Sequence, residues 1–184
     1  MLLRRRARLA LTDYVNAIDV PGRPVSDDAE ETRFAPAETT LAAHHWLLLK
    51  ALQRAMDTPG GRLMVFMPPG SAKSTYASVV APSWWLGQEP NRQIILTSYA
   101  TDLAKKHGRR TRQIANSAKF RALFGTELSD ESAAADEWAL TNGPEYMAGC
   151  LLSGLTGNRA GGVIIDDPVA GREEAESETI RKKT

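Results

Sequence analysis

The sequence is short of cysteine, of long apolar runs and of net charge, and each shortage excludes a class of protein. Cys150 is the one cysteine among the 184 residues, so a disulfide scaffold or a zinc cluster within the chain is excluded, and a reducing compartment is favoured. No apolar run has the length needed to cross a bilayer, so no membrane partner is expected. The net charge is +1, so contact with nucleic acid has to come from a local patch.

What the sequence does have is enough apolar material for a core and a regular alternation of helix and strand patterns. The apolar fraction of 42% suits one domain with a small appendage. We predict helices over 2–18, 37–56, 74–86, 101–117 and 120–124, core strands over 62–67, 93–98 and 163–165, and a loop or linker over 20–36. A hairpin is predicted from 138–141 to 146–152, with Asn142-Gly143 as its turn. This alternation favours an α/β fold with a parallel sheet covered on both faces.

The most informative segment is VFMPPGSAKST at 65–75, which predicts a strand, a tight turn and the start of a helix. Backbone N–H groups of such a turn, aided by the helix dipole, hold the phosphates of ATP or GTP. In this pattern Lys73 reaches the β/γ-phosphates and the Ser74 hydroxyl ligates Mg²⁺. The cradle would consist of Pro69, Gly70, Ser71 and Ala72, with Thr75 near the α-phosphate. The full pattern G-x-x-x-x-G-K-[ST] wants glycine where Met67 and Ala72 stand, so an ordinary exposed helix start is the alternative.

A second segment strengthens the nucleotide interpretation. GGVIIDDP at 161–168 predicts a glycine turn, a buried strand and two acids at its carboxyl end. Ligands of open α/β sheets bind beyond that end of the strands. Asp166 placed there can hold Mg²⁺, and Asp167 can orient or deprotonate an attacking water. The alternative is a solvated turn, which Pro168 would suit.

Several motifs together resemble the N-terminal ATPase part of the large terminase subunit of tailed bacteriophages. They are His44-His45 with the leucine-rich helix that follows, RLMVFMPPGSAKST at 62–75, IILTSY at 94–99, GRRTR at 108–112, GLTGNRA at 154–160 and VIIDDP at 163–168. The similarity runs from about residue 37 to the end of the sequence. A phosphate loop that contains Pro-Pro and lacks both standard glycines is itself typical of that family.

The resemblance implies a P-loop NTPase of the RecA-like (ASCE) class, with a mainly parallel sheet flanked by helices. It divides the chain into an N-terminal helix and linker, 1–36, and an ATPase domain, 37–184. That domain is expected to be truncated, because the last residues resemble a helix cut in progress, and the family's nuclease domain has no counterpart here. The implied activity is Mg²⁺-dependent hydrolysis of ATP that drives double-stranded DNA into a procapsid. The implied partners are DNA, the portal protein, the small terminase subunit and further copies in a ring, within the host bacterial cytoplasm.

The resemblance also assigns roles to individual residues. Asp166 is the Mg²⁺-organising acid, and Asp167 stands where relatives carry a catalytic glutamate, with Glu173 or Glu174 as alternatives. Arg159 is expected to be an arginine finger for a neighbouring subunit, with a surface ion pair as the alternative. The residues His44 and His45 resemble the segment near the adenine pocket, although a structural role is the simpler interpretation. We expect Arg109, Arg110 and Arg112 to form a solvated helix face.

Two other functions compete with the packaging motor. A helicase-like DNA translocase would share the acids at the strand end, but it would need a second motor domain. A nucleotide-binding remnant without turnover is favoured by Asp167 and by the expected truncation. It predicts saturable ATP binding without phosphate release.

Overall fold

The computed structural model describes residues 2–38, 40–88, 90, 92–134, 136–150, 159–171 and 176–177. The fold is α/β: a five-stranded mixed sheet is flanked by helices, and a separate two-stranded ribbon lies in the N-terminal part. The helices are α1 (Leu2–Leu9), α2 (Leu11–Val15), α3 (Ala43–Asp57), a π-helical segment (Thr75–Val80), α4 (Ala81–Gln88), α5 (Thr101–Ala115) and α6 (Ala118–Phe124). The strands are β1 (Pro21–Pro24), β2 (Phe34–Pro36), β3 (Gln93–Ser98), β4 (Leu128–Ala133), β5 (Glu137–Leu140), β6 (Glu145–Cys150) and β7 (Gly162–Ile165).

The sheet is built around β3, and its strand order is β4-β5-β6-β3-β7. β3 pairs in parallel with β6 on one side and with β7 on the other. Its residues after Gln93 are all buried, as expected for a central strand that is covered on both faces of the sheet. The predicted strands at 93–98 and 163–165 are therefore confirmed.

The prediction of a mainly parallel sheet is wrong, because β4–β5 and β5–β6 are antiparallel pairs. β5 and β6 form the predicted hairpin, and its turn contains Gly143 at φ 105, a conformation that glycine adopts without strain. Trp138 and Tyr146 stack across this pair with ring centroids 4.9 Å apart. β4, which the sequence pattern did not predict, extends the antiparallel part.

The predicted first core strand over 62–67 is also wrong as a paired strand. The backbone of these residues makes no hydrogen bond to any described strand, although the side chains alternate. Val65 and Met67 pack against the core, whereas Phe66 is 86% exposed. The apolar alternation was recognised correctly, but pairing also needs a neighbouring strand, and none lies beside this segment among the described residues. On β7, likewise, Val163 and Ile165 are exposed, so the expected cover on both faces is missing there.

The predicted helix over 74–86 forms as two kinds of helix. A π-helical segment runs from Thr75 to Val80, and α4 follows it without a break. Pro82 explains the change, because proline has no N–H to donate to the preceding turn. The Thr111 hydroxyl on α5 donates its one proton to the His107 carbonyl at 2.9 Å, and its oxygen lies 3.5 Å from the Ser78 carbonyl and 3.4 Å from the Val79 carbonyl of this segment.

The N-terminal part is more ordered than the predicted helix and linker. Ala10 is extended and separates α1 from α2, and β1 pairs with β2 inside the predicted linker. The Tyr14 hydroxyl lies 3.0 Å from Ser83 Oγ, and the Trp84 indole donates to the Ala7 carbonyl at 3.0 Å. The helices of 1–36 therefore share a core with the rest of the chain, and the proposed domain division stays a prediction. Within the described ranges, no helix has the length and apolar character required to span a membrane.

Candidate functional site

The ammonium group of Lys73 meets two carboxylates at the carboxyl end of the parallel strands. Its Nζ lies 2.9 Å from Asp167 Oδ1 and 3.5 Å from Asp166 Oδ1. The two acids follow β7 directly, and the Asp166 N–H donates to the Thr97 carbonyl of β3 at 2.9 Å. The hydrogen bond that Lys73 donates to the Asp167 carboxylate is the main reason that the pKa of Lys73 is raised. The sequence-predicted lysine and acids are thus brought together in one place.

Three residues of this site have a left-handed backbone. Gly70 has φ 78, Ala72 has φ 58 and Asp167 has φ 45. Residues other than glycine adopt this region at a cost of about 1–2 kcal/mol, and such strain clusters at functional sites. Ala72 occupies the place where the general phosphate-loop pattern has glycine, so its conformation explains why that pattern prefers glycine there.

Asp166 is almost completely buried, and two side chains that the sequence did not single out contact it. Its exposed fraction is 5%. Ser78 Oγ donates to Asp166 Oδ2 at 2.8 Å, and His107 Nε2 lies 3.3 Å from the same oxygen. Burial lowers the pKa of His107. Ser78 lies on the segment that follows Lys73, so its closeness in sequence to the loop could have suggested it as a site residue. Nothing in the sequence pattern pointed to His107.

The remaining residues of the predicted cradle surround the lysine in sequence without contacting the acids. Pro69 and Gly70 are exposed, and the buried Ser71 hydroxyl has no hydrogen-bond partner among the described residues. Ser74 begins the π-helical segment and makes no hydrogen bond to either carboxylate in the described chain. Thr75 Oγ1 accepts a hydrogen bond from Arg110 at 3.4 Å.

The expectation of a solvated arginine face on α5 is wrong for two of its three members. Arg109 is buried and donates to Glu30 Oε2 and to the Ala29 carbonyl, both at 2.8 Å. Arg110 donates to the Pro21 carbonyl, and burial lowers its pKa. Arg109 therefore connects α5 to the loop between β1 and β2, and Arg110 connects α5 to β1.

Arg159 lies at the opposite edge of the sheet. It precedes Gly161, whose N–H donates to the carbonyl of Gln93 at the start of β3. The exposed Arg159 lines a cavity of about 430 Å³ together with Trp138 and Tyr146. Within one chain it is therefore not brought together with Lys73. The alternative acids Glu173 and Glu174 lie outside the described residues.

His45 is close to the phosphate loop but already has structural contacts. Its Nδ1 accepts a hydrogen bond from the Ala42 N–H at 3.1 Å, which caps the start of α3. Its ring centroid lies 4.9 Å from that of Tyr76. Burial and the neighbouring His44 lower the pKa of His45. A contact with adenine remains a prediction.

The oxygen ligands present fit a magnesium ion that is shared with phosphates. The described residues contain no group of three or more His, Cys, Asp or Glu side chains able to hold a metal by themselves. Mg²⁺ in phosphoryl-transfer sites is bound through one or two carboxylates plus substrate phosphates, so the single carboxylate of Asp166 is compatible with such a site. The Asp166 Oδ1 atom, which faces Lys73, is the ligand best placed for it.

Comparison with known proteins agrees with the motifs. Residues 64–184, about two thirds of the chain, match the family described as "Terminase large subunit, T4likevirus-type, N-terminal". The chain belongs to this terminase family. The match includes the loop with Lys73 and the strand that ends in Asp166 and Asp167, so the resemblance found in the sequence is confirmed. No curated protein and no solved structure matches this terminase chain. Membership indicates a role in phage DNA packaging, and terminase large subunits are generally ATPases.

Proposed function

We propose that this terminase chain binds ATP with Mg²⁺ at Lys73, Asp166 and Asp167, and that it hydrolyses ATP to drive double-stranded DNA into a procapsid. The observation that carries the proposal is the convergence of the Lys73 ammonium and the two carboxylates, at 2.9 and 3.5 Å, beyond the ends of β3 and β7. Ligands of open α/β sheets bind at that edge. The proposal includes a P-loop NTPase fold, in which 68–74 wrap the phosphates.

Each residue has a chemical role in this proposal. The Lys73 ammonium binds the β/γ-phosphate oxygens, and the Ser74 hydroxyl and Asp166 hold Mg²⁺, which neutralises phosphate charge when bound. Asp167 is 52% exposed, so water reaches its carboxylate, and it orients the attacking water. The backbone N–H groups of Gly70 and Ala72 would donate to the phosphates, whereas the Ser71 N–H donates to the Pro68 carbonyl at 3.3 Å. Pro69 shapes the turn but has no N–H to donate.

The ion pairs of the nucleotide-free site compete with the nucleotide. Phosphate oxygens can take Lys73 only if its hydrogen bond to Asp167 is released. The pair is partly exposed, and such pairs contribute about 0.2–1 kcal/mol. Breaking the ion pair between Lys73 and Asp167 therefore costs little of the binding free energy of ATP. Once Lys73 has moved to the phosphates, the Asp167 carboxylate can accept a hydrogen bond from water.

A second candidate is nucleotide binding without turnover. Asp167 stands where relatives carry glutamate, its side chain is shorter by one methylene, and its backbone is held at φ 45. If the carboxylate cannot reach the water, ATP binds and is not cleaved. The portal protein, the small terminase subunit and the ring of copies belong to the packaging proposal, in which Arg159 of one copy would serve the site of the next.

The test is ATP binding and phosphate release by the wild-type chain and by Lys73→Ala. Lys119→Ala is the matched control, because Lys119 is an exposed lysine paired with Asp19 at 2.7 Å, away from the site. We expect saturable, Mg²⁺-strengthened binding that Lys73→Ala loses and Lys119→Ala keeps. Phosphate release would favour the ATPase, and binding without release would favour the second candidate. Unchanged ATP affinity in Lys73→Ala would contradict both.

A further inference from the structure

The two oxygens of the Asp166 carboxylate have different surroundings. Oδ1 faces Lys73 at 3.5 Å, on the side of the phosphate loop. Oδ2 faces the interior, where Ser78 Oγ donates to it at 2.8 Å and His107 Nε2 lies at 3.3 Å. One oxygen is thus engaged by buried side chains while the other points toward the site.

Both interior partners are buried. Ser78 is 1% exposed and His107 is 5% exposed. The Thr111 hydroxyl donates to the His107 carbonyl at 2.9 Å and also lies 3.5 Å from the Ser78 carbonyl. It therefore joins the turn of α5 that carries His107 to the π-helical segment that carries Ser78. π-Helical turns are often found at functional sites, where they redirect a side chain.

The tautomer of His107 follows from its partners. Its Nδ1 is buried and has no hydrogen-bond partner among the described residues. Nε2 is the ring nitrogen beside the carboxylate, so the proton belongs on Nε2, where it faces a negative oxygen. A neutral ring with this tautomer presents a donor to Asp166 without adding a cation next to Lys73.

We propose that Ser78 and His107 are positioning residues that hold Oδ2 of Asp166, so that Oδ1 is presented to magnesium. This inference rests on the proposed function, because it concerns how the carboxylate is aimed at the metal. Ser78 is the stronger of the two, since it makes a hydrogen bond of ordinary length. Partners behind a metal ligand commonly change metal affinity by about 10- to 100-fold when they are removed.

The experiment measures the Mg²⁺ concentration that half-saturates the strengthening of binding of a fluorescent ATP analogue. The variants are Ser78→Ala, His107→Leu and His107→Gln, whose side-chain amide keeps a donor near the position of Nε2. Ser83→Ala is the matched control, since Ser83 is also fully buried but its hydroxyl contacts Tyr14 and donates to the Val80 carbonyl, without reaching Asp166. Thermal melting of every variant reports whether it folds.

We expect Ser78→Ala and His107→Leu to raise the half-saturating Mg²⁺ concentration about tenfold or more, with binding in EDTA unchanged. His107→Gln should recover most of the loss, and Ser83→Ala should lower the melting temperature without affecting Mg²⁺. If His107→Leu does not fold, Ser78→Ala decides. A folded Ser78→Ala with a half-saturation within twofold of wild type would overturn the inference and leave the proposed function standing. Wild-type protein that binds no nucleotide would instead overturn both.

Discussion

Ala72→Gly and Gly70→Ala are opposite changes at two left-handed positions of the phosphate loop, and they should shift stability in opposite directions. Ala72 has φ 58 and Gly70 has φ 78. A Cβ at Gly70 would meet nothing within 4 Å, so alanine there is strained by its backbone alone. The pair therefore isolates the cost of the conformation from any steric clash.

The magnitude follows from two opposing terms. A left-handed alanine costs about 1–2 kcal/mol, and exchange between glycine and alanine changes the unfolded-state entropy by about 0.4–1 kcal/mol in the other direction. We expect Ala72→Gly to raise the free energy of unfolding by about 0.5–1 kcal/mol and Gly70→Ala to lower it by the same amount. For a chain of this size, 1 kcal/mol corresponds to about 2–4 °C in Tm.

Thermal and urea unfolding measure the shifts, and ATP binding is followed in parallel. Gly125→Ala is the control, because Gly125 has φ 73 at the end of α6 and its Cβ position is also open. It should lose the same stability as Gly70→Ala without affecting ATP binding. The reasoning is refuted if Ala72→Gly lowers Tm or if Gly70→Ala leaves it unchanged.

Two further predictions concern charge. Asp167→Asn removes the carboxylate that competes with ATP for Lys73 and keeps a side chain that tolerates the left-handed backbone. ATP should therefore bind up to about fivefold tighter, while any phosphate release falls. Titration with the fluorescent ATP analogue measures the affinity, and weaker binding would contradict this prediction. Burial raises the pKa of Tyr14 and Tyr146 above the ordinary value of 10, so the folded state keeps both protons. The contribution of these two tyrosines to stability should be constant below about pH 10 and should fall above it by up to about 1.4 kcal/mol per pH unit for each tyrosine. Urea unfolding at pH 9 and pH 11 checks this, and Tyr146→Phe should show a shallower loss; an equal slope in the variant would rule out the assignment.

The part of the site that could be predicted from sequence depended on local signals. The apolar run at 163–165 located the end of β7, and the acids beyond it followed from chain order. The loop before Lys73 was recognised by residue type, and parallel strands bring their carboxyl ends to one edge. That argument assumed a paired strand at 62–67, which does not form among the described residues; Val65 and Met67 of the segment before the loop pack against the core instead.

The parts that could not be predicted depend on residues distant in sequence. Ser78 and Asp166 are 88 positions apart, and Ser78 lies on a π-helical segment that the helix pattern over 74–86 did not predict. Pattern alone predicted 62–67 as a paired strand, yet pairing requires a partner that periodicity does not report. The sequence predicted Arg109 and Arg110 to be solvated because their carbonyl and carboxylate partners lie in β1 and in the loop after it, within the segment predicted to be a linker.

The unpaired stretch at 62–67 has a practical consequence for anyone who handles the chain. Leu63, Met64 and Phe66 present uncharged apolar side chains beside backbone groups that make no hydrogen bond to another described strand. Within the described part of the chain, β7 is the last strand at its end of the sheet and exposes Val163 and Ile165. Such edges act as templates on which a foreign strand can add. In concentrated solution the expected outcome is self-association into β-rich aggregates. The apparent molar mass from light scattering should rise with concentration, and Phe66→Lys should suppress that rise.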